Sequence, residues 1–422
     1  MATNLAATWN EIGAIVGADH LRTATPADAV DGAPPQFVVE PGSAVEVARV
    51  LSCAAVAGLS VAPRGGGTKM DWGNAPPSID VVLSIKKLNR VLEHAWGDMT
   101  ATIEAGCTVA QVQEILAAHG QHLALDPLWM NKATIGGVLA TNDSGALRVR
   151  FGALRDLIIG ITVVLPDGTI ARSGGKVVKN VAGYDLPKLM TGALGTLGVI
   201  VEATFRLYPL AREVRTLSFA LPTIAAANEL TLAIQDSTLA PTGVQLRAST
   251  LEQPQVDVRF EGVAAAIEGQ TQTLFSLAAD AKQIESKPGT WNAREELWNG
   301  APSSLICKAS VLPSHLACMC EALNRIAASS NIKWRAVMQS IGLGALQIEA
   351  NDAGSLLTVL EDLRAELRKL GGSLVLLRCP LEMKQHVDVW DTSGDARPLM
   401  RRVKERFDPG GILNPGRFVG GI

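Results

Sequence analysis

The chain has 422 residues, a formal net charge of −3, 47% apolar residues and 19% charged residues. That length accommodates two or three domains of roughly 100 to 200 residues each. The balance excludes a disordered chain and a strongly basic nucleic-acid surface, so no nucleic-acid partner is expected.

The first 22 residues lack the basic start, apolar core and cleavage site of a secretory signal, and read as an opening helix. No uncharged apolar run approaches the roughly 20 residues of a membrane span; Leu157 to Leu165 is of buried-strand length. The six cysteines, at 53, 107, 307, 318, 320 and 379, are dispersed and read as free thiols of a reducing compartment. Cys318 and Cys320 lie in a helical pattern where residues two apart face different ways, which reads as packing. A cytoplasmic protein is expected, with any membrane association peripheral.

In chain order, Pro34-Pro35 precedes a strand at Gln36 to Val39. Ser43 is placed to cap a helix from Ala44 to Ala57. Val61-Ala62-Pro63 delivers Arg64-Gly65-Gly66-Gly67-Thr68-Lys69, and Ile79 to Ile85 and Thr100 to Glu104 read as strands of the same small sheet. Thr108 caps a helix from Val109 to Ala118. His119 and His122, three apart, raise a metal question, but Gly120 sits where a helix ends and no third ligand is in view, so no metal site is assigned.

From Asp126 to Leu207 the chain alternates glycine pairs, small polar side chains and basic residues with short apolar runs. Glycine lets backbone approach a ligand, and successive free N–H groups form a concave anion site suited to a pyrophosphate. Thr134-Ile135-Gly136-Gly137 opens a helix to about Thr141, whose N-terminus is expected to offer free N–H groups to the ligand. Arg148 and Arg150, read as an extended segment, would share a face. Pro166-Asp167-Gly168 predicts a hairpin between Leu157–Leu165 and Thr169–Arg172. Leu186 to Thr191 is expected as a helix and Val199 to Leu207 as a strand. Beyond Arg212 the pattern becomes α+β, with an antiparallel sheet covered by helices on one face.

Arg64 to Lys69, Ala133 to Asn142 and Gly192 to Ile200, in this order, resemble the FAD-linked oxidase family that includes vanillyl-alcohol oxidase and p-cresol methylhydroxylase. More narrowly, Lys176 to Leu186 and Phe407 to Gly416 resemble the FAD-binding E subunits of bacterial glycolate oxidase. The resemblance implies an α+β fold: a two-subdomain FAD-binding domain of the p-cresol methylhydroxylase type over 1–210, an α+β substrate or cap domain over 211–380, and a segment, 381–422, returning to the first. It implies FAD held by Arg64, Gly65, Gly66, Gly67, Thr68, Lys69, Asp126, Pro127, Thr134, Gly136, Gly137, Asn142, Ser144, Gly145 and the Ile200 backbone. Thr68 stands where covalent members carry histidine, so FAD is expected to be non-covalent.

The relatives' His-Gly-Asp-Gly-Asn-x-His metal motif corresponds to Ser340 to Gln347, without histidine or carboxylate, so no metal is expected. Trp291-Asn292-Ala293-Arg294-Glu295 resembles a pattern whose arginine holds the substrate carboxylate. Arg294 is therefore one catalytic candidate; Tyr184, one of only two tyrosines, is the other, as a proton carrier or hydrogen-bond donor beside a flavin. The implied activity is oxidation of a small 2-hydroxy acid, glycolate or D-lactate, with electrons leaving through a catalytic flavoprotein D subunit and an iron–sulfur F subunit at the inner membrane. The alternatives are a non-catalytic assembly or electron-relay subunit, and a reductase using NADPH.

Overall fold

The computed structural model describes residues 2–175, 184–301, 303–350, 352–391 and 394–422. The chain divides into two units. The first comprises Met1–Ser144, Ala153–Leu210 and Thr392–Ile422, and the second Gly145–Gly152 and Ala211–Asp391.

The first unit holds two principal sheets. Strands β1 (Leu21–Thr23), β2 (Phe37–Val39), β3 (Val61–Arg64) and β4 (Val81–Ser84) form one, in the order β1-β2-β4-β3, with β4 pairing parallel to both β2 and β3. Parallel strands need a crossover. The helix Ala44–Ala57 supplies it: Ser43 Oγ accepts the Glu46 N–H at 3.2 Å, and Gly58, at φ +67°, ends the helix in a conformation that favours glycine. Strands β5 (Val91–Ala95), β6 (Thr100–Glu104), β8 (Ile158–Val164), β9 (Ile170–Gly174) and β10 (Val199–Arg206) form the second sheet, antiparallel, in the order β5-β6-β10-β8-β9. The short β7 (Gln121–His122) pairs with β11 (Tyr208–Pro209).

Two expectations are corrected here. The strands around residues 81 and 100 do not share a sheet: β4 is buried on all four residues and joins the parallel strands, while β6 joins the antiparallel set. The edge strand β5, Val-Leu-Glu-His-Ala, has no buried residue, and its weak apolar pattern gives no strand signal in the sequence. Arg148 and Arg150 lie in a helical turn, Arg148–Phe151, rather than an extended segment. Residues two apart in a helix do not share a face, so the paired-arginine geometry fails. The predicted hairpin at Gly168 forms, with Leu165 N–H donating to Thr169 O and Gly168 at φ +88°.

The second unit is built on one antiparallel sheet. Its strands are β12 (Glu213–Ala220), β13 (Gly243–Ser249), β14 (Gln255–Gly262), β15 (Lys282–Ile284), β16 (Leu305–Ser310), β17 (Lys333–Gln339), β18 (Leu343–Glu349) and β19 (Ser373–Arg378), ordered β15-β12-β14-β13-β17-β18-β16-β19. Alternation along the strands divides its two faces. Leu217, Phe219, Val256, Val258, Phe260, Leu246, Trp334 and Met338 pack in one apolar core with the helices Ile224–Asp236, Ala264–Leu277, Leu316–Ser330 and Ala353–Lys369. The intervening residues Ser218, Asp257, Gln245, Gln339 and Gln347 are polar, yet each is at most 6% exposed. Such groups must be bonded in place. Ser218 and Gln245 donate to Asp257, Gln245 also donates to the Thr290 carbonyl, and Trp291 Nε1 donates to Thr216 Oγ1. The 286–298 stretch thus covers part of this polar face.

Candidate functional site

The first unit brings four sequence-distant segments to one cleft: the loop after β3, the helix Ile135–Thr141, the turn at Leu194, and the C-terminal residues Asn414 and Arg417. β3 ends at Arg64 and the chain turns through three glycines. A Cβ on Gly65 would stand 2.0 Å from Thr134 Oγ1, and one on Gly66 would stand 1.8 Å from the Lys132 carbonyl oxygen. These glycines are therefore required by the approach of loop to loop. The N–H groups of Gly65, Gly66, Gly67 and Thr68 donate to no acceptor among the described residues, which leaves four neighbouring donors available to a ligand.

The helix Ile135–Thr141 contributes differently from expectation. Its first amides are already bonded: Ile135 N–H to Cys107 O, Gly136 N–H to Ala105 O, and Gly137 N–H to Thr134 Oγ1. Its N-terminus is docked on the protein and offers no free donors there. A Cβ on Gly136 would lie 2.8 Å from the Ala105 Cβ, so that glycine serves packing. At the other end Asn142, at φ +49°, caps the helix, and its Oδ1 is buried without a partner. An orphaned buried acceptor costs about 1–3 kcal/mol, which a donor on a bound cofactor would recover.

Two charged clusters brace the loop. Lys69 Nζ lies 3.2 Å from Asp143 Oδ2, with both side chains at most 5% exposed, and 5.7 and 5.4 Å from the ring centres of Trp72 and Trp129. Its ammonium is thus committed to Asp143, which also accepts the Leu128 N–H. On the other side Asp28 accepts from Arg22, Arg64 and both Thr25 donors, at 2.8–2.9 Å. The Arg22 guanidinium foremost, with the Thr25 and Arg64 bonds, holds the Asp28 carboxyl far below the usual carboxylate range. Arg64 Nε, immediately before the glycines, is buried and unpartnered.

The C-terminal segment closes the cleft. Val61 N–H donates to Ile412 O and Asn414 N–H to Val61 O, so this segment runs beside β3. Asn414 Nδ2 donates to Leu194 O, Arg417 Nη2 to the carbonyls of Met70 and Trp72, and Lys404 Nζ to Thr196 O, Leu413 O and Asp408. Asp28, Asp143, Lys404, Asp408, Asn414 and Arg417 were not singled out from sequence. The Asp408 to Gly416 run, which carries part of the resemblance, contains Asp408 and Asn414 but stops short of Arg417.

The remaining candidates are dispersed. Asp126 and Ser144 are half-buried, Pro127 is buried, and Gly145 opens the 145–152 segment of the second unit. Ile200 is buried in β10 beside a bulge, where pairing with β8 shifts between Ile200 and Glu202. Tyr184 is 92% exposed; its carbonyl, not its phenol, is engaged, accepting from Ser173 Oγ and Leu186 N–H. Lys176, Lys179 and Asn180 lie outside the described residues. Arg294 is half-buried on the short helix Ala293–Glu296.

His119 stacks on Trp96 and meets His94 edge-on, while His122 meets the Tyr208 ring. Among the described residues no three His, Cys, Asp or Glu side chains gather as a metal site, and no helix is long and apolar enough to cross a membrane. Where the resemblance places a metal motif, Arg335 Nε donates to Gln347 Oε1 at 2.7 Å and Gln347 Nε2 donates to Glu349 at 3.1 Å.

An FAD binding domain model matches residues 35–174, and the model of the FAD linked oxidases' C-terminal domain matches residues 390–418. Glycolate oxidase subunit GlcD of Bacillus subtilis is 28% identical over 91% of this chain and 89% of that protein. The mitochondrial cytochrome D-lactate dehydrogenase of Arabidopsis thaliana is 28% identical over 91% of this chain and 73% of that protein. Among solved structures, p-cresol methylhydroxylase with substrate bound superposes with a TM-score of 0.81 at 16% identity, covering 99% of this chain and 97% of that one.

Proposed function

We propose that this chain, which belongs to the FAD-linked oxidases and binds FAD, is the FAD-binding subunit of a dehydrogenase that oxidises a small 2-hydroxy acid. The observation that carries the reading is the cleft, with four free loop amides and a C-terminal clamp, next to the orphaned Asn142 acceptor that ends the helix Ile135–Thr141, all within the 35–174 and 390–418 matches to FAD-linked oxidases. The Gly65–Thr68 amides and Arg64 would hold the pyrophosphate, and Asn142 would accept from a flavin or ribityl donor. The Lys69 ammonium, shared with Asp143, would stiffen the loop. Thr68, which lines the cleft where covalent members carry histidine, supports dissociable FAD.

Glycolate and D-lactate are the substrates to test, since the Bacillus subtilis and Arabidopsis thaliana relatives are named for them. Bound FAD supplies a two-electron acceptor for the hydride of the alpha carbon. The chain's own part is to bind and orient: Arg294 would pair with the substrate carboxylate through its planar fork. Electrons would then pass to a partner flavoprotein and an iron–sulfur subunit, with the chain peripheral to the membrane through them.

A second reading, an assembly or electron-relay subunit whose FAD never meets substrate, is favoured by one feature. The Ser340 to Gln347 stretch, without histidine or carboxylate, stands where the resemblance places the relatives' metal motif, and Gln347 is tied to Arg335 and Glu349. The experiment is anaerobic addition of glycolate, then D-lactate, to the purified FAD-loaded chain. Bleaching of the flavin band, abolished by Arg294→Ala, supports the first reading. A band that persists until a partner flavoprotein is added sinks it in favour of the second.

A further inference from the structure

The second unit holds a cavity of about 550 Å³ that the redox reading does not use, lined by Arg247, Gln255 and Arg335 and rimmed by Lys287, Glu252 and Glu296 among others. Arg247 lies on β13 and Arg335 on β17. In the pairing of these strands Arg247 stands opposite Val337 and Ser249 opposite Arg335, so the two arginines are diagonal neighbours on one face. Such neighbours have Cα atoms roughly 7–8 Å apart, within reach of two long side chains.

Each guanidinium is fixed along one edge and open along another. Arg247 gives Nε and Nη2 to Asp257 at 2.7 and 3.0 Å, and that carboxylate has no exposed surface. Arg335 gives Nε to Gln347 Oε1 at 2.7 Å and a long Nη2 contact, 3.5 Å, to the Glu296 carbonyl. Neither Nη1 has an acceptor among the described residues. The rim charges Lys287, Glu252, Glu285 and Glu296 are exposed and form no ion pair there, so they leave both arginine edges free. Exposed rim charges act through water and salt and are weak; Arg247 is half-buried and Arg335, though itself exposed, is held by Gln347, so these two pre-oriented arginines are what a ligand would meet.

We propose that this cavity is a binding site for a compact dicarboxylate, one carboxylate on the open edge of Arg247 and the other on that of Arg335. A planar guanidinium edge matches a carboxylate with two parallel N–H···O bonds, and two such edges on adjacent strands select a ligand with two carboxylates over one with a single charge. The assignment does not rest on the redox reading, which gives neither Arg247 nor the open edge of Arg335 a part in the oxidation, although the cavity borders the helix Ala293–Glu296 that carries Arg294.

The test is calorimetric titration of the full chain, saturated with FAD at low salt, with succinate, acetate and inorganic phosphate. One saturable succinate site is expected, with acetate at least tenfold weaker. Arg335→Gln should weaken succinate at least tenfold while leaving the flavin spectrum and Tm unchanged. Removing the Arg247 cation would leave the Asp257 carboxylate buried and unpaired, so that position is tested with Arg247→Lys, which keeps the charge but loses the fork; a several-fold weakening is expected. Absence of saturable succinate binding, binding that survives both substitutions, or a preference for phosphate over succinate would each overturn the assignment.

Discussion

Replacing Asp28 with asparagine tests whether the loop before the cofactor glycines is held by charge. In the wild type one carboxylate oxygen accepts Arg22 Nη2 and Arg64 Nη2, and the other accepts Arg22 Nη1, the Thr25 N–H and the Thr25 hydroxyl. An amide has only one acceptor oxygen, so either rotamer turns an NH₂ toward at least two donors. Losing one partner of a buried pair costs about 3–5 kcal/mol. Arg22 is 48% exposed and Arg64 14% exposed, and this discounts the loss to about 2–4 kcal/mol, since the exposed arginine recovers water. The melting point of the first unit should fall by roughly 5–12 °C. Arg64, no longer held beside the glycine loop, should weaken FAD binding about tenfold, or about 1.4 kcal/mol.

The pH dependence has a definite sign. Arg22 above all depresses the folded-state pKa of Asp28, so its contribution is fully present above the unfolded value near 3.9 and is lost as pH falls through the folded value. The stability gap between wild type and Asp28→Asn should therefore be constant from about pH 5 to pH 8 and shrink below about pH 4. Thermal unfolding with and without excess FAD, together with quenching of flavin fluorescence, reads both quantities. A melting point within 2 °C of wild type (roughly the effect of 1 kcal/mol or less) and unchanged FAD affinity would refute the reasoning.

Gly66→Ala places a methyl 1.8 Å from the Lys132 carbonyl oxygen; it should cost about 1–3 kcal/mol or more and abolish FAD saturation in an equilibrium titration. Gly269→Ala, in a helix with nothing within 4 Å, should instead stabilise by about 0.5–1 kcal/mol. Lys404→Met strips the counter-charge from Asp408, whose side chain has no exposed surface, and should lower stability by about 3–5 kcal/mol in denaturant titration. Thiol reagent should modify exposed Cys318 first in the native chain. Buried Cys307 and Cys320, both pushed up to about 12 by burial, and Cys107, pushed up to about 11 chiefly by burial, should react only on unfolding.

Much of the architecture was legible because its causes are local. Ser43, Thr108 and Thr134 cap the helices their positions predicted, and Gly168 makes the predicted turn, because caps and turns depend on a few adjacent residues. The glycine segments were legible as places of close approach for the same reason. What is approached was not legible: Gly65 and Gly66 meet Thr134 and Lys132, about seventy residues on, and Gly136 meets Ala105.

Local pattern also misled where two structures share one composition. Arg148 and Arg150 fit an extended segment or a helical turn equally, and only packing chose the turn. The amides at the start of the helix Ile135–Thr141 looked free because their acceptors, Ala105 O and Cys107 O, lie at the end of another strand.

From the residues alone come the glycine segments as places of close backbone approach and the α+β texture of the second unit; the resemblance those segments carry supplies FAD. Only the tertiary structure decided which charges act and which are already spent. Lys69 reads as a phosphate cation until Asp143 is seen beside it. Arg64 acquires its brace from Asp28, 36 residues earlier in the chain, and Arg417 reaches the loop carbonyls across 345 residues. The physical reason is that a charge's meaning lies in its partner and its burial, and both come from chain crossings that no local spacing records.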